Sequence, residues 1–171
     1  IALGTLGRPE EAVACYDRAL EVDPRYALAW FIKGDALGAL GRHQEAIACY
    51  DRALEVDPRS ALAWNNKGAA LGALGRHKEA IDCYDRFLEL DPRSAVAWYN
   101  KGVALGALGR HKEAIACHDR ALEVNPRFAE AWNSRGFALG NLGRLEEAIA
   151  CFDRVLELNP RDADAWKRKG A

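Results

Sequence analysis

Residues 61–94, ALAWNNKGAALGALGRHKEAIDCYDRFLELDPRS, decide the reading of this chain, because their pattern returns before and after them at one fixed period. Trp30, Trp64, Trp98, Trp132 and Trp166 keep that spacing, as do Cys15, Cys49, Cys83, Cys117 and Cys151. A period this long marks a stacked array, in which each unit buries its apolar face against its neighbours. The array is taken as one domain over 1–171. A partial unit at 1–26 leads into full units at 27–60, 61–94, 95–128 and 129–162, and 163–171 opens a further one.

Within each full unit, apolar residues recur at helical spacing in two segments separated by Leu-Gly-Arg, as at Leu74-Gly75-Arg76. The first segment predicts a helix over 61–74, with Ser60 and Ser94 placed to cap such helices. The second predicts a helix over 77–90, stopped by Asp91-Pro92, because the residue before proline is driven out of the α region. No segment alternates with period two over strand length, so the expected class is all-α. Gly68 and Ala80 recur as small residues, which lets two helices approach closely. The expectation is that each Trp fills the space they leave. Asp-Arg pairs such as Asp51-Arg52 and Asp85-Arg86 recur on the second helices and read as solvated surface pairs.

Composition removes several classes of function. The formal net charge is -1, with 29% charged residues interleaved by sign, so bulk charge draws in neither nucleic acid nor an anionic membrane. No apolar run approaches the roughly 18 residues of a spanning helix. The chain starts at Ile1, inside the repeat pattern, and is read as a piece of a longer protein. Successive cysteines sit a helix-packing distance apart, roughly 8–10 Å, too far for a disulfide. Free thiols suit a reducing compartment and point to the cytoplasm. His43, His77 and His111 form a ladder too open for one metal ion. His118 takes an aromatic slot and reads as a core residue. Neither a nucleophile elbow nor a phosphate loop is present. No catalytic residue, metal site or cofactor is expected.

The residues also match a family pattern. Trp64-x2-Lys67-Gly68-x2-Leu71, then Ala80-x3-Tyr84, then Pro92 resembles the tetratricopeptide repeat over essentially the whole chain. The departures are local: Lys or Arg stands three residues after every Trp where the pattern has Leu, and Leu stands where it has Tyr.

The resemblance implies a right-handed α-solenoid superhelix of stacked antiparallel helix hairpins, with the first helix of each lining a concave groove. It places groove residues two before each Trp at Leu28, Leu62, Val96 and Glu130. One after the Trp it places Phe31, Asn65, Tyr99 and Asn133, and two after it Asn66 and Asn100. Five after the Trp come Asp35, Ala69, Val103 and Phe137, and nearly bare pairs such as Gly72-Ala73 and Gly140-Asn141 complete the lining. It further implies a non-catalytic scaffold that binds a peptide or helix of a partner protein in this groove. The lysine and asparagine set with which some relatives clamp a chaperone's C-terminal carboxylate is not present here. Two other readings stay open: a substrate-recruiting or regulatory region of a larger enzyme, and a consensus-like chain with no selected ligand. The incomplete ends suggest head-to-tail self-association, the tail bearing Trp166 docking on the first unit of another molecule.

Overall fold

The computed structural model describes residues 8–170; the stub at 1–7, on which the expected self-association depends, and Ala171 lie outside them. The described residues form ten α-helices and no strand. They divide between two compact units, Ile1–Asp91 and Pro92–Ala171. The first unit holds α1 (Pro9–Val22), α2 (Ala27–Ala39), α3 (His43–Val56), α4 (Ala61–Ala73) and α5 (His77–Leu90). The second holds α6 (Ala95–Ala107), α7 (His111–Val124), α8 (Ala129–Asn141), α9 (Leu145–Leu158) and α10 (Ala163–Lys169). No described helix is long and apolar enough to cross a membrane.

Local sequence sets the helix ends. Ser60 Oγ accepts from the Ala63 amide at 3.4 Å and Ser94 Oγ from the Ala97 amide at 3.3 Å, as expected, and Asp162 does the same for Ala165 at 2.9 Å. The Leu-Gly-Arg turn closes each hairpin: Gly75 adopts φ 74°, the Arg76 amide donates to Leu71 O at 2.9 Å and the Gly75 amide to Gly72 O at 3.0 Å. That pair of bonds is a Schellman motif, and its left-handed position is where a side chain is strained. Each second helix ends at Asp or Asn before Pro. There Asp57 Oδ1 accepts from the Arg59 amide at 3.1 Å, turning the chain into the next repeat.

Tryptophan does not fill the space left by the glycines, contrary to the expectation. A Cβ added at Gly34, Gly68, Gly102 or Gly136 would lie 2.6–2.8 Å from the ring of Tyr50, Tyr84, His118 or Phe152, so it is the ring on the second helix of the same hairpin that occupies the gap. The tryptophans lie at the repeat junctions. The indole nitrogens of Trp30, Trp64 and Trp98 donate to the carbonyls of Pro24, Pro58 and Pro92 at 2.9–3.0 Å, and Trp132 and Trp166 repeat the bond at 3.0 and 3.1 Å.

The Lys and Arg departures from the family pattern also acquire a reason. Lys33 Nζ pairs with Asp17 and Lys67 Nζ with Asp51, each at 2.5 Å, while Arg135 pairs with Asp119 and Lys169 with Asp153, each at 2.6 Å. The charged head crosses to the preceding second helix. The cation also covers its own Trp, as Lys67 does at 5.4 Å from the Trp64 ring. The repeated Asp therefore does not belong to surface pairs on its own helix, as its spacing suggests. Arg86 does pair with Glu89 at 2.8 Å, but Asp51 goes to Lys67.

Replacing Gly75 by Ala is expected to lower stability by about 1 kcal/mol from backbone strain alone, since nothing lies within 4 Å of the new Cβ. Gly75→Asn is expected to lose less, because Asn tolerates the left-handed conformation. Urea denaturation of the three proteins checks the order, and equal losses for Ala and Asn would refute the strain argument.

Candidate functional site

Each unit presents a face of first-helix side chains. In the first unit Leu28 and Leu62 are exposed, and Phe31 is half-buried with its ring 6.1 Å from that of Tyr50. Asp35 sits at the centre of a polar knot: its Oδ1 accepts from Tyr50 OH and from Asn66 Nδ2, both at 2.8 Å. Asn65 Nδ2 donates in turn to Asn66 Oδ1 at 3.0 Å. Asn66 is therefore engaged within the chain, a role its place in the repeat does not reveal. Ala69 is exposed beside this knot.

In the second unit Val96, Val103 and Phe137 are exposed, Phe137 to 60%. Tyr99 is largely a packing residue, its ring centre 4.9 Å from Phe128 and 5.8 Å from His118. Asn100 and Asn133 are half-buried, and Asn133 Oδ1 accepts from Arg168 at 2.6 Å. Glu130 is exposed. Asn141 is exposed too, and its Nδ2 donates to the carbonyl of Phe137 at 3.0 Å. A Cβ at Gly72, Gly106 or Gly140 would meet nothing within 4 Å, so these glycines leave bare backbone near the C-terminal ends of α4, α6 and α8.

Second-helix residues complete the site, which their repeat positions alone do not announce. His43 and Tyr50 line a cavity of about 320 Å³ with Asp35, Asn66 and Ala69. His111 and His118 line another of about 380 Å³ with Val103, Asn133, Ser134 and Phe137, and Arg168 reaches it from α10. The available signal is that His43 and His111, like Tyr50 and His118, stand two repeats apart.

Burial dominates the titration of these groups. It raises Tyr50, with the Asp35 carboxylate adding to the effect, and it pushes Tyr84 up to about 12. The buried thiols of Cys49 and Cys151 are raised for the same reason and Cys83 reaches about 11, which leaves them poor nucleophiles at neutral pH. His118 is 2% exposed and pushed down to about 4, chiefly by burial, with Asp119 opposing and Arg135 assisting. Among the described residues no group of three or more His, Cys, Asp or Glu could hold a metal ion.

Two profiles of the tetratricopeptide repeat family match the chain, one over residues 1–54 and 33–95, the other over 95–128 and 129–162. The chain belongs to the tetratricopeptide repeat family. Its fold is the α-solenoid fold of that family: the MamA crystal structure superposes with a TM-score of 0.90 at 26% identity, covering 95% of both chains. YrrB, described as a tetratricopeptide repeat protein with an unusual peptide-binding site, gives 0.88 at 25% identity, covering 99% of this chain and 88% of its own. The first repeat domain of Spaghetti (RPAP3), bound to the HSP90 peptide SRMEEVD, gives 0.64 at 32% identity, covering 67% of this chain and 90% of its own. Comparison with curated protein sequences finds no significant match.

The depressed His118 makes the fold acid-sensitive. The unfolded chain takes up the imidazole proton near pH 6.5, while the folded chain resists until about 4. Unfolding therefore gains protons in that window, and stability falls as pH drops through it, by roughly 2 kcal/mol at pH 5. His118→Phe, which copies Phe152 in the same slot, is expected to remove that part of the pH dependence. Urea midpoints for both proteins at pH 7 and pH 5 check it, and an unchanged difference would assign the acid sensitivity elsewhere.

Proposed function

We propose that this chain is a non-catalytic scaffold that holds a peptide of a partner protein against its first-helix faces. The observation that carries the reading is apolar side chains left exposed on first helices, with Val103 and Phe137 one turn from bare backbone. Leu62 in the first unit, and Val96, Val103 and Phe137 in the second, are exposed on first helices that also carry the open glycines Gly72, Gly106 and Gly140, and Leu28 is exposed on α2. Scattered apolar anchors fix alternate side chains of a peptide, and a floor without side chains lets its backbone come near.

The peptide-binding descriptions of YrrB and of the Spaghetti repeat domain support the same reading by likeness of fold. The chemistry of the partner differs from a chaperone tail. Of the slots one after Trp, only Lys167 carries the lysine such a clamp needs, and none of the slots five after Trp carries its asparagine.

A synthetic random heptapeptide library passed over the immobilised chain tests this. A variant carrying Leu28→Ser, Leu62→Ser, Val96→Ser and Phe137→Ser, all exposed positions, is expected to keep its helical circular dichroism and melting temperature. It is expected to retain at least about tenfold less peptide, a loss of about 1.4 kcal/mol. Equal retention by both proteins would move binding off these faces.

A further inference from the structure

Among the described residues, α1 is a second helix with no first helix before it, and α10 is the opening of a first helix with no second helix after it. Both are exposed in slots that complete hairpins cover. On α1 Cys15 is exposed, whereas Cys49, Cys83, Cys117 and Cys151 in the same slot are 1–6% exposed. Tyr16 is half-buried where Tyr50, Tyr84 and Phe152 are buried, and Ala19 is half-buried where Ala53, Phe87, Ala121 and Val155 are buried. On α10 Trp166 is 55% exposed, while Trp30, Trp64, Trp98 and Trp132 are half-buried. Beside it on α9, Ile149 is 39% exposed against 4–7% for Ile47, Ile81 and Ile115.

The complete hairpins show what closes each face. Cys151 Sγ accepts from the Arg135 guanidinium at 2.9 Å, and the Cys151 Cβ lies 3.1 Å from where a Cβ at Gly136 would be. The rings of Tyr50, Tyr84, His118 and Phe152 lie against the hairpin glycine. Arg52, Arg120 and Arg154 lie over Trp30, Trp98 and Trp132 at 5.6–5.9 Å from the ring centres. The counterparts of these partners are divided between the two ends: Trp166, Lys169 and Gly170 stand at α10, and Cys15, Tyr16 and Arg18 on α1. A Cβ at Gly170 would meet only the backbone of its own helix, at 3.6 and 3.9 Å, and among the described residues no ring covers it.

The charges match as well. Glu45 is held below the usual carboxylate range by its Arg42 partner and further by Lys33, and Glu79 by Arg76 and further by Lys67. Each hairpin thus sets a first-helix cation near the first-turn glutamate of its second helix. Lys169 and Glu11 hold those two slots at the ends.

We propose that the chain binds a second copy of itself head to tail, α10 of one molecule packing against α1 of the next to close a hairpin shared between them. Both half-hairpins come from the same repeat, so their registers already fit. Closing them buries Cys15, Ala19 and Trp166, apolar surface that each copy otherwise leaves in water. The contact stands on described residues alone. In sequence, IALGTLG at 1–7 of the second copy supplies the stretch that follows this point in a full unit, as DALGALG does at 35–41. The two faces differ, so the contact is heterologous, and each added copy presents a fresh face to the next.

The test blocks one face at a time. Gly170→Leu adds bulk where the interior glycines meet a ring, yet in a single molecule it touches only its own helix. Cys15→Arg blocks the α1 face at an exposed position. Sedimentation equilibrium under reducing conditions follows the full chain and both variants, alone and mixed, and circular dichroism melting checks that each variant folds. The mass of the full chain is expected to climb with concentration, while each variant alone stays at the monomer mass. An equimolar mixture of the two is expected to reach twice the monomer mass and stop, because only the α10 face of Cys15→Arg and the α1 face of Gly170→Leu remain open. Gly170→Ala, which adds the Cβ alone, is a milder block expected to weaken association by about tenfold.

A full chain that stays monomeric at every concentration would overturn the proposal. Association of either folded variant alone, to the extent of the full chain, would overturn it in favour of a contact between like faces or one elsewhere on the molecule. Two monomeric variants whose mixture is also monomeric would overturn it too, since complementary open faces would then have failed to pair.

Discussion

Everything in these units depends on one close approach, a first helix and a second helix brought together where Gly34, Gly68, Gly102 or Gly136 lacks a Cβ. The rings of Tyr50, Tyr84, His118 and Phe152 lie where that Cβ would be. A helix-interior glycine is worth about 1 kcal/mol less than alanine. The ring burial it permits contributes more, since burying a large apolar side chain stabilises by roughly 1.5–3 kcal/mol. Around this contact the alanines pack with almost no exposure, Ala46 and Ala80 in the first unit and Ala97, Ala114 and Ala131 in the second. The same contact carries an aromatic or imidazole ring through the hairpin to the side where the cavities lie, and Tyr50 and His118 line them.

A second layer of interactions joins one repeat to the next. The indole of each Trp is tied to the carbonyl of the proline that opens the preceding turn, and a Lys or Arg one helical turn after the Trp lies over the ring. The same cation reaches a carboxylate on the preceding second helix, as Lys67 does with Asp51. Lys33 and Lys67 are about one-fifth exposed and their Asp partners about half. Such pairs contribute modestly to stability, but they fix the register between neighbouring hairpins. The leucine of the family pattern would pack at this slot; the charged residue packs its stem and keeps its head in reach of water.

Much of this was legible in the sequence. The period gives the hairpins, the Asp-Pro and Leu-Gly-Arg breaks give the helix limits, and Ser60 and Ser94 act as the caps their positions suggest. Periodicity marks a gap beside Gly68 but does not say which ring fills it, and that is where Trp was misplaced. The ion pairs were missed for a related reason. Asp51 and Lys67 lie on different helices, α3 and α4, beyond the short spacings at which charges pair along one helix. Their fixed recurrence was visible; its meaning needed the packed hairpin. On the candidate site, exposure could be read for Leu62 and Phe137, whereas the engagement of Asn66 by Asp35 and the burial of His118 depend on how facing helices meet.

The open glycines tell something further about selection on this chain. Gly72, Gly106 and Gly140 stand near the ends of first helices, at ordinary helical dihedrals, with room for a methyl group that would touch nothing. An alanine at each would rigidify the helix and raise stability by up to about 1 kcal/mol. A chain shaped for thermal robustness alone has every reason to make those three changes, so its native sequence leaves part of its attainable melting temperature unclaimed along one strip of backbone.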